Sequence, residues 1–402
     1  MDHSTYADIE LRIDWKSRHA LHTERHFYQG INFRRDFFPR GLGEKLISAP
    51  DGEWVSETMA ASEIIPAYSK TNVHKVALAK INPVGPANIQ LTPRQGRFYP
   101  RNFIAGEAGV TSEEFQPLRV ISIAHDSLTV DLNHPLARED INVSLRIIGQ
   151  RYAGKEERSG RCNDVVYELL TSGPGMQAPH PDGTDYYTDD AFSRIDERDD
   201  ALLYLEANLE DTYDRAAGAQ ITELYRGLLT PDSTILDMMC GAQSYLPDDL
   251  RLSTTGIGLN KEELQANKQL EAYVVQNVNT NHVLPFADNE FDAITYTAAV
   301  EYLVDPLRSF AEFCRVVRPG GRIILTFTDH WNSMKSIKLW SELHHFERMG
   351  LVLDYCLRSG MQDLHTQSIQ GQLRPQADPK ADKKIYADPV YAVYGAVAEP
   401  GK

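Results

Sequence analysis

Cysteine is scarce in this chain of 402 residues, and its four cysteines are widely separated. They are Cys162, Cys240, Cys314 and Cys356, and they lack the short spacings typical of a zinc site or a disulfide-rich scaffold. Because disulfides persist in oxidising compartments, the scarcity favours a reducing one. The sequence therefore predicts a cytoplasmic protein.

The chain also lacks an excess of basic residues and long apolar runs. It has 41 Lys and Arg against 57 Asp and Glu, which gives a formal net charge of −16. Nucleic acid and anionic membrane surfaces are bound through basic patches, so we expect neither partner. No apolar run approaches the length of a membrane span, and no apolar segment follows the first residues.

What the chain does have is an ordinary globular composition, with 42% hydrophobic residues. A chain of this length is expected to form two or three domains. Changes in pattern predict a polar, poorly defined region at 1–80, a small antiparallel β module at 81–150, a linker and helical lid region at 151–230, and an α/β domain at 231–402.

Histidines in the first region are spaced as they would be on one face of a helix. His19, His22 and His26 would then stand close enough to share a metal ion. A solvated polar face explains the same spacing, and we predict no metal site.

Alternating apolar residues in the second region predict strands at Leu118–Ile123, Leu128–Leu132 and Ile141–Ile148. The stretch Val130–Ala137, which contains Asn133-His134-Pro135, is followed by an alternating strand. It resembles the C-terminal end of FKBP-type prolyl isomerases of the SlyD kind. The resemblance implies an FKBP/SlyD-like β domain that either isomerises prolines or has a structural or partner-binding role.

The third region combines a loop with predicted helices. Gly173–Gln177 and the prolines after it predict a loop. The acidic run Asp196–Asp214 is interpreted as a helix with one solvated face, and Thr188–Phe192 as a helix start. The alternative for the acidic run is a lid over a substrate pocket, whose charge would repel anionic substrates and admit an amine. A further helix is predicted from about Ala216 to Leu229.

From Thr234 onward, short apolar strands alternate with helices, which predicts a doubly wound, mostly parallel α/β sheet. A helix is predicted from Pro306, with Asp305 as its N-cap, and another from Ser336 to about Leu357. The predicted strands lie near Thr234–Asp237, Ser253–Gly258, Tyr273–Gln276, Phe291–Tyr296, Arg322–Phe327, Asp363–Ile369 and Tyr386–Val397.

The opening of this domain, Ser233–Gly258, has the order of a nucleotide-binding βαβ unit. A strand ends at Asp237, a tight turn is expected at Gly241, and a short helix should lead to a second strand that ends at Gly258.

Two later runs, Leu284–Ile294 and Arg315–Arg322, follow this opening at a specific spacing. Together they resemble the class I S-adenosylmethionine-dependent methyltransferases, over Leu229–Gly371. The resemblance implies a Rossmann-like seven-stranded sheet. Gly173–Gln177 and Gly256–Leu264 more narrowly resemble a methyltransferase-like family whose members carry an FKBP-like stretch before the Rossmann-type domain.

The resemblance implies S-adenosylmethionine as the cofactor, bound across the carboxyl ends of the strands. Asp237 and the turn after it would hold the methionine end, the end of the second strand would meet the ribose, and Thr297 with Ala298 would lie under the sulfonium. The predicted cofactor-binding residues are Asp237, Cys240, Gly241, Gly258, Leu259, Asn260, Asn277, Val278 and Thr297.

The sequence departs from that family at two positions where an acid is usual. Gly258 stands where a ribose-binding carboxylate is expected, and Asn277 where the acid after the third strand is expected. Asn260 could replace one contact to the ribose, but with Glu263 three residues later it also fits a helix N-cap. Weak cofactor binding or a modified cofactor is therefore left open.

Candidate catalytic residues follow the fourth and fifth strands. Glu301 and Tyr302 come after the fourth, and His330 after the fifth. His330 is the preferred base because an imidazole titrates near neutrality, although a surface or helix-cap histidine is equally consistent. Tyr302 fits a wall of the pocket as well as a substrate platform.

The predicted function is transfer of a methyl group to a small-molecule or peptide acceptor. Two alternatives remain open: a methyltransferase fold that has lost its cofactor and serves as a scaffold, and an FKBP-type peptidyl-prolyl isomerase or chaperone. A homodimer is compatible with the sequence.

Overall fold

The computed structural model describes residues 6–84, 90–151, 162–202, 205–378 and 381–399. The chain divides into two compact units, one of Met1–Tyr186 with Glu342–Gly350 and one of Tyr187–Ser341 with Leu351–Lys402. The predicted boundaries at 80 and 150 fall inside the first unit, and the one at 230 falls inside the second.

The first unit is built on two antiparallel sheets. The larger has the strand order β2-β1-β8-β3 and the smaller the order β4-β7-β6-β5. Its elements are β1 (Tyr6–Lys16), β2 (Ala20–Asn32), α1 (Leu42–Ser48), β3 (Val55–Ala60), β4 (Val73–Ala77), β5 (Phe98–Pro100), β6 (Pro117–Ile123), β7 (Ser127–Asp131), β8 (Asp140–Arg151) and α2 (Val165–Leu170).

The region that the sequence left poorly defined contributes the central strand of the larger sheet. Ile9, Leu11 and Ile13 of β1 alternate with polar residues and enter the hydrophobic core. On the other face, the buried carboxylate of Glu10 pairs with Arg25 at 2.6 Å and with Arg146 at 2.5 Å. The polar residues that obscured the pattern are thus one face of the sheet.

The smaller sheet is inserted between β3 and β8 and has its own core, which includes Leu118, Val120, Leu128 and Val130. The predicted strands at 118–123, 128–132 and 141–148 are confirmed by β6, β7 and β8. The FKBP-like resemblance of this region stays a prediction.

The predicted loop Gly173–Gln177 packs closely against other segments of the first unit. Gly175 has a φ of +97°, and a Cβ there would stand 2.6 Å from Pro135 of the predicted FKBP-like motif. Gln177 donates from Nε2 to the buried carboxylate of Glu24 at 2.6 Å. The two motifs that the sequence singled out are therefore in contact.

The metal interpretation of the histidines is wrong in its geometry because His22 and His26 lie on β2 and His19 on the bend before it, and not on a helix. His22 stacks on Trp15 at 3.8 Å between ring centroids, and His26 lies against Tyr28 at 4.3 Å. Among the described residues, no three His, Cys, Asp or Glu side chains are arranged as metal ligands.

The second unit is an α/β sheet with the strand order β11-β10-β9-β12-β13-β15-β14. Neighbours from β11 to β13 run parallel, and β15 is antiparallel to both β13 and β14. Its elements are α3 (Arg215–Leu228), β9 (Thr234–Met238), β10 (Ser253–Gly258), α4 (Lys261–Ala266), β11 (Ala272–Val275), β12 (Phe291–Thr297), α5 (Pro306–Val316), β13 (Val317–Phe327), α6 (Lys338–Glu342), α7 (His345–Arg358), β14 (Gln362–Gln370) and β15 (Val390–Ala396).

The predicted helix at Pro306 is confirmed, with Asp305 as the N-cap whose side chain accepts from Arg308 N. Its apolar stripe buries Phe310, Phe313 and Val316, as a period of 3.6 residues requires. The predicted helix at 216–229 is confirmed by α3, which Asp214 caps.

Four helix predictions are wrong. The acidic run Asp196–Asp214 has no α-helix among its described residues and only a short 3-10 turn at Asp200–Leu202, because its acids form local pairs and turns. Thr188–Phe192 is a turn. No helix follows Gly241; a 3-10 turn at Asp248–Leu250 leads to β10. The helix predicted from Ser336 to Leu357 is split into α6 and α7.

None of the helices in the described part of the chain combines the length and the apolar character that a bilayer crossing requires.

Candidate functional site

A cavity opens at the carboxyl ends of β9, β10 and β12, where the parallel strands deliver their loops to one edge of the sheet. Its empty volume is about 850 Å³, the open mouth included. The residues that line it are Asn208, Glu210, Thr212, Asp237, Met239, Cys240, Gly241, Ala242, Gln243, Tyr245, Leu259, Glu263, Thr297, Ala298, Ala299 and Tyr302.

Asp237, the acid that ends the first strand of the domain, is the most deeply buried polar group of this cavity. Its side chain is 1% exposed, and Oδ1 accepts a hydrogen bond from Thr295 Oγ1 at 2.9 Å. Oδ2 has no hydrogen-bond partner. Burial raises the pKa of Asp237 to about 7, although Ser244 and Thr295 oppose this shift. A buried carboxylate oxygen normally has a partner, so this oxygen is available to a hydrogen-bond donor or a cation on a ligand.

Glu263, on the first turn of α4, supplies a second buried carboxylate. It is 6% exposed, and Oε1 accepts from the backbone N–H of Asn208 at 2.8 Å. Burial raises its pKa, and the Asn208 hydrogen bond lowers it. A Cβ at Gly241 would stand 3.0 Å from Glu263 Oε2, so the absence of a side chain at Gly241 keeps the space before this carboxylate open.

The charge of the cavity has one sign. Asp237, Glu263 and Glu210 are the charged residues among the described lining, which contains no Lys, Arg or His. Because Asp237 and Glu263 are buried, their field is weakly screened, and because burial raises the pKa of Asp237 to about 7, that carboxylate is charged at neutral pH and above. The arrangement is suited to a ligand that carries positive charge.

The backbone of the lining is strained at three points. Met239, Tyr245 and Ala298 have φ values of 49°, 55° and 54°, a region that residues other than glycine seldom adopt. The single O–H of Tyr296 has two acceptors within reach, Met239 Sδ and the carbonyl oxygen of Ala299. Such strain persists where surrounding contacts enforce it, and it concentrates at functional sites.

Five of the predicted cofactor-binding residues line the cavity: Asp237, Cys240, Gly241, Leu259 and Thr297. Thr297 shares a hydrogen bond of 2.6 Å with Tyr225 Oη, a buried group of α3.

Gly258, Asn260, Asn277 and Val278 do not line it. A Cβ at Gly258 would lie 2.3 Å from the carbonyl oxygen of Cys240, so no side chain, and no carboxylate, fits there. Asn260 is an N-cap, since Oδ1 accepts from Glu262 N and Glu263 N. Val278 is buried at 2% exposure.

Asn277 is engaged elsewhere. Its Nδ2 donates to Asp199 Oδ1 at 3.0 Å, and Asn279 Nδ2 donates to Asp200 Oδ2 at 3.0 Å. The predicted contact of Asn277 with an adenine ring would have to coexist with, or break, this tether to the acidic segment.

Of the three predicted catalytic residues, the structure brings one to the cavity and leaves the other two outside its lining. Tyr302 lines the cavity, and its hydroxyl accepts from Asn332 N at 2.9 Å. Glu301 is 2% exposed and lies outside the lining. His330 also lies outside it, and Asp329 raises the pKa of the imidazole. That shift favours the protonated form, which is a poorer base than the sequence led us to expect.

A segment that we call the strap, residues 205–213, runs along the cavity and contributes Asn208, Glu210 and Thr212 to its lining. The Tyr213 backbone N–H donates to Tyr245 Oη at 3.2 Å. From the sequence, the strap was predicted to be part of a solvated helix or, as the alternative, of a lid over the pocket, and no single strap residue was assigned to the site. Glu263 was interpreted as part of a helix cap.

Comparison with known proteins gives a match at the same part of the chain. Residues 236–325 match a family described as a methyltransferase domain. A demethylmenaquinone methyltransferase of Symbiobacterium thermophilum is 28% identical over 164 residues, which are 38% of this chain and 62% of that protein. The ubiquinone/menaquinone biosynthesis C-methyltransferase UbiE of Geotalea daltonii is 30% identical over 128 residues, which are 29% of this chain and 52% of that protein.

Among solved structures, an S-adenosylmethionine-dependent methyltransferase from Aquifex aeolicus overlaps 47% of this chain and 95% of that chain at 18% identity, with a TM-score of 0.33. The chain spans less than two thirds of the two curated relatives named above. The family match confirms the predicted resemblance of this part of the chain to methyltransferases.

Proposed function

We propose that this chain transfers a methyl group from S-adenosylmethionine, bound in the cavity at the carboxyl ends of β9, β10 and β12, to a small-molecule acceptor. The observation that carries the proposal is the position of an uncompensated acidic cavity at the edge of the sheet where the methyltransferase-domain match lies. S-adenosylmethionine has a sulfonium and an ammonium against one carboxylate, so its net charge complements that of the cavity.

The residues present fit such a ligand. Asp237 Oδ2 has no hydrogen-bond partner and is suited to accept from the ammonium of the methionine end. The Cys240–Gly241 turn offers backbone and open space, and Thr297 with Ala298 forms the floor at the end of β12. When bound, the cofactor supplies an electrophilic methyl group on sulfur. The chain's own part is to orient the two reactants and to exclude water.

For the acceptor we propose a hydroxylated aromatic ring such as a quinol. Two relatives are named for demethylmenaquinone or ubiquinone and menaquinone biosynthesis, and Tyr245 and Tyr302 give the cavity aromatic walls. A peptide acceptor is the other class that the sequence left open. Incubation with a demethylated naphthoquinol and with a mixed peptide pool, followed by mass spectrometry, distinguishes the two by which one gains a methyl group.

The binding step is tested by titration calorimetry with S-adenosylmethionine on the wild type, Asp237→Asn and Asp248→Asn. Asp248 is an exposed acid in the same β9–β10 connection and serves as the matched control. We expect saturable binding to the wild type and to the control, and at least about tenfold weaker binding to Asp237→Asn, because a charge-assisted hydrogen bond is lost. If the wild type gives no heat of binding at millimolar S-adenosylmethionine, the proposed function is contradicted, and the alternative of a scaffold that has lost its cofactor is favoured.

The finer predictions belong to the same proposal. We propose that the strands of the second unit constitute the seven-stranded sheet of class I methyltransferases, and that the protein works in the cytoplasm. The prolyl isomerase or chaperone alternative concerns the first unit and is tested separately, by a proline-limited refolding assay with the full chain.

A further inference from the structure

Tyr245, in the connection between β9 and β10, is held by its neighbours in an unfavourable backbone conformation. Its φ is 55°, in the left-handed region that favours glycine. Thr222 Oγ1, on α3, donates to the Tyr245 carbonyl oxygen at 2.9 Å. The side chain of Gln269 accepts from the N–H of the next residue, Leu246, at 3.3 Å and donates to its carbonyl oxygen at 2.7 Å. Two distant side chains thus enforce the strain, which points to a role of Tyr245 beyond packing.

The ring of Tyr245 is also fixed in place. A Cβ at Gly218 of α3 would stand 3.0 Å from Tyr245 Cε1, so the ring lies directly on the backbone of the helix. Glycine is unfavourable inside a helix, and this close packing is a physical reason for its presence there. The ring of Tyr213 stands edge-on to that of Tyr245, with 5.7 Å between the ring centroids. The cavity is therefore lined by an aromatic ring that has little freedom to move.

The hydroxyl of Tyr245 is suited to donate a hydrogen bond. Its oxygen accepts from Tyr213 N at 3.2 Å, which leaves the phenolic proton for another acceptor. Burial raises the pKa of Tyr245 to about 12, although hydrogen bonds from Tyr213 N and Thr212 oppose this shift. The phenol therefore keeps its proton at neutral pH and is a donor and not a base.

Uncharged donors are important in this cavity because its charged residues are all acids. The described lining contains no Lys, Arg or His, so its side chains can meet an oxygen atom of a ligand only through uncharged donors. Ionised carboxylates cannot donate, and they repel the lone pairs of such an oxygen. Tyr245 combines a donor with an aromatic surface, which are the two features that a hydroxylated planar ring requires of its binding site.

Resting on the proposed function, we infer that Tyr245 binds the acceptor: its ring is the wall on which a planar hydroxylated ring stacks, and its hydroxyl donates to an oxygen of that ring. Other residues are proposed to hold the cofactor, namely Asp237, the Cys240–Gly241 turn and Thr297 with Ala298. A stacking surface and one hydrogen bond together fix the position and the orientation of the acceptor. They thereby determine which of its ring carbons faces the methyl group.

The test compares two probes, 1,4-dihydroxynaphthalene and naphthalene, which share a ring system and differ in the hydroxyl groups. Each is titrated anaerobically into protein that is saturated with S-adenosylhomocysteine, so that no methyl group can be transferred, and binding is followed by fluorescence. Binding of S-adenosylmethionine is measured separately by titration calorimetry. For the wild type we expect the hydroxylated probe to bind about tenfold more tightly than naphthalene, as hydrogen bonds in a largely buried site allow.

The variant Tyr245→Phe keeps the ring and removes the hydroxyl. We expect the preference for the hydroxylated probe to fall by about fivefold, the value of one hydrogen bond, with the affinities for naphthalene and S-adenosylmethionine nearly unchanged. Tyr273→Phe is the matched control, because Tyr273 lies on β11 outside the described lining and its hydroxyl also accepts a hydrogen bond, from Gln265 at 3.0 Å. It should behave as the wild type.

A second variant, Gly218→Ala, shifts the ring of Tyr245 and leaves its hydroxyl intact. Its control is Gly227→Ala on the same helix, where a Cβ meets no atom within 4 Å and the gain in helix propensity is the same. We expect Gly218→Ala to bind both probes severalfold more weakly than the wild type, and Gly227→Ala to bind them equally well.

The outcomes separate the two proposals. If S-adenosylmethionine does not bind the wild type, the proposed function fails. If it binds, but the wild type does not prefer the hydroxylated probe or Tyr245→Phe keeps that preference, the cofactor site stands and the role of Tyr245 is refuted. The role is equally refuted if Tyr245→Phe loses affinity for S-adenosylmethionine and for both probes by the same factor, with faster hydrogen exchange in the strap, because the hydroxyl would then serve to hold the strap.

Discussion

Asp237 is held in a protonation state that the unfolded chain would not share. Burial raises its pKa to about 7, whereas an unperturbed aspartate titrates near 3.9. Between these values the folded protein binds the proton and the unfolded chain does not. Stability contributed by this group is therefore present below about pH 4 and falls as the pH rises toward about 7.

The variant Asp237→Asn has no such dependence, since an amide does not titrate. We expect it to gain stability relative to the wild type as the pH rises from 4 to 8, by up to about 4 kcal/mol for a shift of this size. Urea unfolding of both proteins across that range, with Asp248→Asn as the control, measures the difference. A difference that is independent of pH would contradict the buried, raised carboxyl.

Gly258 shows what a single sequence could and could not tell. The sequence marked it as a lost carboxylate, and the structure gives the reason: the Cys240 carbonyl occupies the place of a side chain. That close approach joins the end of β10 to the loop after β9, so no local pattern could predict it. Glu263 shows the converse, because its spacing from Asn260 predicts a capping role and is silent about the cavity that α4 faces.

At the scale of elements, the parallel strands and α5 were predictable because their signals are local. Alternating or continuous apolar runs set β9, β10, β12 and β13, and Asp305-Pro306 sets the start of α5. The structure of the acidic run 196–214 could not be predicted in this way, because its leucines are spaced as they would be on one face of a helix. Leu202, Leu205 and Leu209 are in fact exposed, and the segment is held by side-chain contacts from distant loops.

Lys335 is the main anchor of that segment. Its side chain is buried, and Nζ donates to the carbonyl oxygens of Asp196 at 3.2 Å and Arg198 at 2.6 Å, with Asp200 Oδ1 at 3.3 Å. Asp199 and Asp200 in turn contact the loop after β11. The lysine thus organises the chain that leads into the strap.

We expect Lys335→Met to release this segment. Removing one partner of a buried ionic cluster costs about 3 kcal/mol, and the residues that the lysine held become accessible to protease. Limited proteolysis and hydrogen exchange should show new cleavage and faster exchange within 194–212, together with weaker ligand binding through the strap.

Lys338→Met is the matched control, because Lys338 forms an exposed ion pair with Asp190. It should behave as the wild type in both measurements. Equal protection of the segment in Lys335→Met and the wild type would show that other contacts hold it.

At the scale of the whole molecule, the second half could be assigned from sequence and the first half only in part. Parallel strands with helices between them carry strong local signals and lead to one edge of a sheet. In the first unit the central strand β1 pairs with β8, which lies more than a hundred residues away in the chain. Such pairing leaves no trace in the pattern of either strand alone, and the polar face of β1 further hides it.

The chain has a net charge of −16, and the cavity has the same sign of charge, because every charged residue among its described lining is acidic. This charge supports the proposed binding of a cationic ligand. The central claim is that the space in front of Gly241 is where that ligand lies.

The most direct test of this claim is titration of S-adenosylmethionine into the wild type, Gly241→Val and Gly227→Ala. A side chain at 241 would fill the space before Glu263, whereas a Cβ at Gly227 meets no atom within 4 Å. The account predicts one saturable site in the wild type and in Gly227→Ala, and no binding to a folded Gly241→Val. Undiminished binding to Gly241→Val, or none to the wild type, would contradict it.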